Sequence, residues 1–188
     1  AYRFIGNAQF DYKVHGFEDL RFNLNLGIDY ASSKGTVDVV PGAEQSLHST
    51  AQSGSGSHSN YNQTRIDQTL EAYLAYSHDF EGGHHFDAMA GYSWQHFYGS
   101  NRNISYFNVT DEVKLNAGET VDGRYPTWKW ESYLVSFYGR INYSIASKYL
   151  FTLSLRNDGS SRFSPDTRWG LFPSGAFAWN VKEEGFLK

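Results

Sequence analysis

The 188-residue chain has no cysteine, a single methionine and only four prolines. Without cysteine, it can carry neither a disulfide framework nor a thiolate metal centre. No stretch of about 18 apolar residues occurs, which excludes a transmembrane helix. The formal net charge of −4 is too weak, and of the wrong sign, for an electrostatic nucleic-acid binder. Mean hydropathy is low, at −0.55, a value that ordinarily accompanies a soluble protein. A membrane β-barrel escapes that inference, because only every second residue of each strand meets lipid. No export signal precedes Ala1, and a strand is read within the first few residues. Processing or truncation of a longer precursor is therefore expected.

Aromatic side chains are abundant, with 14 Tyr, 14 Phe and 5 Trp, and their spacing is regular. Leu20, Phe22, Leu24, Leu26, Ile28 and Tyr30 alternate with Arg21, Asn23, Asn25, Gly27 and Asp29. Period two is the mark of a strand with two different faces. Phe4, Ala8, Phe10, Tyr12 and Val14 form a row before it. Ile66, Leu70, Leu74, Tyr76 and Phe80 form a third, and Phe86, Ala88, Ala90, Tyr92 and Trp94 a fourth. Tyr133, Val135, Phe137, Ile141, Tyr143 and Ile145 make a fifth; Tyr149, Phe151, Leu153 and Leu155 a sixth. Leu171, Phe177, Trp179 and Val181 suggest a seventh, weakened by Pro173 and Gly175.

Length separates lipid from a soluble core. Soluble strands run about five or six residues, whereas a tilted bilayer-spanning strand needs roughly 9–11. The alternating stretches reach or pass the larger figure. Their connections are lopsided: short turns near Gly16 to Asp19, at Glu81-Gly82-Gly83-His84 and at Ala146-Ser147-Lys148, against long loops over 32–63, 99–131 and 158–169. Short turns at one rim and long loops at the other characterise outer-membrane barrels. Tyr12, Tyr30, Tyr76, Phe80, Trp94, Tyr143, Tyr149 and Trp179 lie near strand ends, where an interfacial aromatic belt belongs. The fold expected is all-β, about seven antiparallel up-and-down strands of a larger transmembrane barrel. An odd count and two bare edges are untenable in lipid, so the other strands are expected elsewhere in the parent polypeptide. Glu183-Glu184-Gly185-Phe186 reads as a turn opening a further strand.

The last third carries a more specific pattern. Leu155-Arg156-Asn157-Asp158-Gly159-Ser160-Ser161-Arg162-Phe163 leads into Arg168-Trp169-Gly170-Leu171-Phe172-Pro173-Ser174, then Ala178-Trp179 and Glu183-Glu184-Gly185-Phe186. With Phe137 to Tyr143, Lys148-Tyr149-Leu150 and Ala90-Gly91-Tyr92-Ser93, this resembles the barrel signature of SusC/RagA-type TonB-dependent outer-membrane transporters. Ser164 and Gly175 depart from the pattern without disturbing the alternation. The resemblance implies part of a 22-stranded barrel, over residues 1–188, lacking the plug domain and the remaining strands. It implies uptake of a large nutrient, an oligosaccharide or a peptide, across the bacterial outer membrane. It further implies a SusD-like surface lipoprotein as partner and energy from the TonB complex acting through the plug.

No catalytic constellation stands out, and neither an enzyme nor a cofactor is expected. Asp67, Glu71 and Asp79 fall on polar rows beside Arg65, Arg140 and Arg156, as in a water-facing barrel interior. His84 and His85 are adjacent and so point to opposite faces, a poor start for metal chelation. Asp158 and Asp166 lack the acidic ladder of a calcium loop. The best ligand candidates are loop aromatics, Tyr125, Trp128 and Trp130 with Tyr106 and Phe107, because exposed rings stack on sugar faces and anchor interfaces. The competing readings are an outer-membrane adhesin or porin without energised import, and a soluble carbohydrate-binding β-sandwich.

Overall fold

A computed structural model describes residues 1–47, 56–107 and 127–183. Seven strands follow one another: β1 (Tyr2–Lys13), β2 (Leu20–Val39), β3 (Ser57–Phe80), β4 (His84–Phe107), β5 (Thr127–Ile145), β6 (Tyr149–Ser160) and β7 (Trp169–Trp179). They are antiparallel and hydrogen-bonded in chain order, β1-β2-β3-β4-β5-β6-β7, as an open sheet. A single helical turn, α1 (Glu44–Leu47), follows β2, and a 3-10 turn (Val181–Glu183) follows β7. The further turn expected at Glu183 to Phe186 falls mostly outside the described residues.

Register explains why the alternation matters. Between β5 and β6, Ile141 faces Leu153, Tyr143 faces Phe151 and Ile145 faces Tyr149. Between β6 and β7, Phe151 faces Phe177, Tyr149 faces Trp179 and Leu155 faces Pro173. The apolar row thus continues across three strands. The intervening positions pair polar with polar: Ser136 with Asp158, Arg140 with Ser154, Asn142 with Thr152. Thr152 Oγ1 donates to Asn142 Oδ1 at 2.9 Å, and the Ser154 and Ser174 hydroxyls meet at 2.7 Å. A one-residue slip would invert both faces at once.

The chain divides into two compact units. The first comprises Ala1–Phe4, Asp29–Ile66 and Tyr98–Glu131; the second comprises Ile5–Ile28, Asp67–Phe97 and Ser132–Lys188. In the second, the apolar row lies open: Phe10, Leu153 and Phe177 are 57, 63 and 59% exposed. Even Leu26 and Ile28 keep 37% of their surface. A β-sandwich buries one face of each sheet against the other, so the sandwich alternative is not what the chain adopts. In the first unit, Tyr2 stacks on Tyr30 with ring centroids 6.3 Å apart, while Arg3 grips Asp29 through Nε (2.8 Å) and Nη2.

The connections correct the sequence reading. Strands β2 to β5 are 20, 24, 24 and 19 residues long, so both ends of the first two segments read as long loops are strand, whereas 161–168, between β6 and β7, form a loop as expected. Residues 32–39, 57–63, 99–107 and 127–131 all belong to strands. Over 57–63 and 99–103 polar residues occupy both faces, and alternation has little contrast to reveal.

The short turns are as expected. Gly82 and Gly83 take φ of 85° and 78°, a left-handed conformation that glycine adopts without a Cβ penalty. The β5–β6 hairpin makes the same demand of other residues: Ala146 and Ser147 sit at φ 50° and 56°, and the Lys148 N–H closes the turn on the Ile145 carbonyl at 2.9 Å. Two consecutive positive φ angles are those of a type I′ turn, which favours Asn-Gly. In the β1–β2 turn, Lys13 lies 2.7 Å from Glu18 and holds its carboxyl below the usual range. That pair is exposed, and its small contribution is present at neutral pH and lost as pH falls through the folded pKa. Ser147→Gly in the full protein should relieve left-handed strain and stabilise the fold by about 0.5–1 kcal/mol. A higher urea midpoint at unchanged slope is the expected result.

Candidate functional site

The polar rows carry the chain's chemistry. In the second unit they form two hydrogen-bonded clusters on one face of the sheet, from residues of β3, β5 and β6. The Tyr138 hydroxyl donates to Glu71 Oε1 at 2.7 Å. Arg156 Nε bonds both oxygens of Asp158 at 2.7 and 3.0 Å, and its Nη2 reaches Ser136 Oγ at 3.2 Å. Tyr138, Glu71 and Arg156 line a hollow of about 450 Å³ together with Asn25, Thr69, Gln95 and Arg140. Satisfied polar groups of this kind hold one another's rotamers, so the face is organised before any ligand meets it.

A glycine on the neighbouring strand makes room for the Tyr138 ring. A Cβ at Gly91 would sit 2.4 Å from Tyr138 Cζ, closer than any real contact. Tyr138 was not among the aromatics singled out from sequence. It was legible all the same: it is an aromatic out of phase with the apolar row Tyr133, Val135, Phe137, Ile141.

Four of the histidines, His78, His84, His85 and His96, go separate ways. His84 Nδ1 meets the Tyr143 hydroxyl at 2.9 Å, on the apolar row. His85 bridges two carboxylates, Asp79 at 2.6 Å and Asp87 at 3.0 Å. His78 pairs with Asp19 at 2.7 Å, and His96 stacks on Tyr133 at 4.5 Å and bonds Gln68. Each ring thus has a structural partner.

Of the aromatics proposed as ligand contacts, Trp128 and Trp130 are described. They are not in a loop but in the first turn-ward residues of β5. Spaced by two, they share a face, and they are 74 and 46% exposed. Tyr106 and Phe107 end β4, and their side chains, like the whole of Tyr125, lie outside the described residues. In the first unit, Trp130 stands over Gly99: a Cβ there would lie 2.2 Å from the indole Nε1. The ring borders a hollow of about 430 Å³ shared with Ser32, Gln63, Thr64 and Asn101. Tyr61 stands over Gly35 in the same manner, 2.6 Å from hydroxyl to a would-be Cβ. Neither Tyr61 nor Asn101 was foreseen, since both fall where alternation is silent.

No family model matches the chain. Among known proteins it is similar to the TonB-dependent receptor SusC of Bacteroides thetaiotaomicron, 37% identical over 190 residues, covering 98% of this chain and 18% of that receptor. The TonB-dependent receptor P3 of Formosa agariphila is 40% identical over 143 residues, covering 73% of this chain and 14% of the relative. The chain belongs to the SusC/RagA-type TonB-dependent outer-membrane transporters. It spans less than a fifth of the length of these two relatives. The fold agrees: the RagAB peptide transporter superposes with a TM-score of 0.78 at 18% identity, covering 99% of this chain and 20% of that one. RagAB in its open-open state gives 0.74. In this segment of a SusC/RagA-type wall, Gly91 opposite the out-of-phase Tyr138 is a packing device on the polar face.

Gly91→Ala should force Tyr138 aside, break its bond to Glu71 and cost about 1–3 kcal/mol. In a double-mutant cycle, Tyr138→Phe should then cost almost nothing further in the Gly91→Ala background. Additive losses in denaturant unfolding would show that the glycine and the ring act independently.

Proposed function

We propose that the chain forms part of the barrel wall of an energised outer-membrane importer for a large nutrient, an oligosaccharide or a peptide. The remaining strands and the plug domain lie elsewhere in the whole protein on this reading. The plug engages the TonB complex, which supplies energy from the inner-membrane proton gradient. A SusD-like surface lipoprotein caps the extracellular end. The activity is transport and not catalysis.

The observation that carries the reading is a single sheet with an uncovered apolar row on one side and a hydrogen-bonded polar row on the other. Such a sheet needs hydrocarbon against the first and water against the second. Strand length supports it. A strand of 24 residues extends roughly 80 Å at about 3.3 Å per residue, against a hydrocarbon core of about 30 Å. The excess projects the polar ends of β2 to β5 beyond the bilayer, where Trp128 and Trp130 are suited to meet incoming substrate. Tyr106, Phe107 and Tyr125 belong to the same stretch of chain and are candidates with them.

Two experiments on the full protein test this. Leu153→Arg, on the apolar row, should lower barrel stability in lipid vesicles by about 2–4 kcal/mol, whereas Asn142→Arg, on the polar row, should cost under about 1 kcal/mol. Equal losses would remove the lipid assignment. Uptake of labelled oligosaccharides or peptides by cells should cease when a protonophore collapses the proton gradient. Uptake that continues at the same rate would favour a passive porin, and no uptake of either class an adhesin.

A further inference from the structure

We infer that the outer face of β2 to β4, just past the apolar row, is a docking site for the phosphorylated head group of an outer-leaflet membrane lipid, with Lys34 and Arg102 as its cationic partners. The inference rests on the barrel-wall reading and adds a ligand on its lipid side, away from the lumen. Three features of the first unit carry it.

The first is the face. Within this unit the apolar row is Tyr30 on β2, Ile66 on β3 and Tyr98 on β4. Alternation puts Lys34 and Thr36 on the side of Tyr30, Asn62 and Asn60 on that of Ile66, and Arg102 and Ile104 on that of Tyr98. Contacts between β2 and β3 hold this phase. Tyr61 lies over Gly35 on the opposite face, while His58 Nδ1 meets Asp38 Oδ1 at 2.6 Å on this one. Trp130, over Gly99, also belongs to the opposite face.

The second is the height. Lys34, Asn62 and Arg102 each lie four residues along their strands from Tyr30, Ile66 and Tyr98. That is about 13 Å of strand at about 3.3 Å per residue, or roughly 10 Å of rise with the tilt of barrel strands. Tyrosine suits the edge of the hydrocarbon, so the next layer out is that of the head groups. The stems of Lys and Arg are long enough to set their charges anywhere within it.

The third is the chemistry. Lys34, Arg102, Asn60 and Asn62 border a hollow of about 560 Å³, and no acidic side chain among the described residues does. Asp38, on the same face, is held by His58. On β5, Lys129 and Glu131 share the side of Tyr133 by alternation, which leaves the excess of positive charge unchanged. Lys34 and Arg102 are exposed. Arg102 also interacts within the chain, but a guanidinium has five donors to share. A phosphoryl group takes the point charge of Lys, the fork of Arg and the N–H groups of neighbouring amides. A protein partner fits less well, since Ile104 is the one apolar side chain on this side of the rim and interfaces are anchored by large desolvated groups. A free anion would meet the two cations through screening salt, whereas a lipid arrives with its head group already confined to this height.

The test uses the full transporter, purified in a neutral detergent and titrated with fluorescent phosphorylated lipid A. Wild-type protein should bind this lipid, and more weakly as salt is raised. Lys34→Gln combined with Arg102→Gln should weaken binding by about tenfold or more. Lys34→Arg combined with Arg102→Lys, which keeps both charges, should stay within about threefold, as should Lys13→Gln at the far end of the strands. Equal affinity of the double glutamine variant and the wild type overturns the site, and so does equal binding of dephosphorylated lipid A. Displacement of the lipid by millimolar inorganic phosphate would reassign the patch to a free anion. Loss of a co-purifying surface lipoprotein from the glutamine variant, with lipid affinity intact, would reassign it to a protein. Any of these results leaves the barrel reading standing while Leu153→Arg costs more than Asn142→Arg; equal costs of those two remove that reading whatever Lys34 and Arg102 bind.

Discussion

A strand in a lone sheet has two faces and no third layer to hide either of them. Each face must therefore suit whatever medium lies against it, and the backbone must satisfy its own hydrogen bonds sideways. The rest of this structure follows from that constraint. Ile141, Leu153 and the pair Phe151–Phe177 stand in register on one side; on the other, Tyr138 bonds Glu71, and Arg156 bonds Asp158 and Ser136. The exposed apolar row would be a liability in water, as would the edges of β1 and β7. Both make sense as parts of a larger wall set in lipid, the setting of the family to which the chain belongs.

The polar face has its own packing problem, because a single sheet gives its large side chains nothing to lie against. Glycine on the adjacent strand solves it locally. Tyr138 over Gly91, Trp130 over Gly99 and Tyr61 over Gly35 each settle into the space of a missing side chain. A ring laid against its own sheet is held in place yet keeps surface turned toward solvent. In the Tyr138 case the hydroxyl is used internally, by Glu71, so that ring serves the wall. Trp130 has a half-exposed ring and an unpaired amide oxygen nearby.

The limits of the sequence reading have a physical cause. Period two is visible only where the two faces meet different media. It was therefore plain from Leu20 to Tyr30 and from Tyr133 to Ile145, and lost along 32–36, 57–63 and 99–103, where both rows are largely polar. Strand ends were misread as loops for that reason; Trp128 and Trp130 do alternate with Lys129 and Glu131, but out of phase with the apolar row that begins at Tyr133. Pro173 and Gly175 made β7 look weak, yet it pairs with β6 along its whole length. Pro173 stands opposite Leu155 and Gly175 opposite Leu153 without a break in register.

Composition, alternation and the run from Leu155 to Phe186 were enough, by themselves, to determine the fold class, the facing of most residues and the family. Those properties are periodic or local, and a linear string records them fully. Which glycine lies beneath which ring was decided only by tertiary structure. Gly35 and Tyr61, or Gly99 and Trp130, are some 30 residues apart in the chain, and only inter-strand register brings them together. The same holds for the unpaired oxygen of Asn101, which is defined by its neighbours on other strands and by nothing in its own segment.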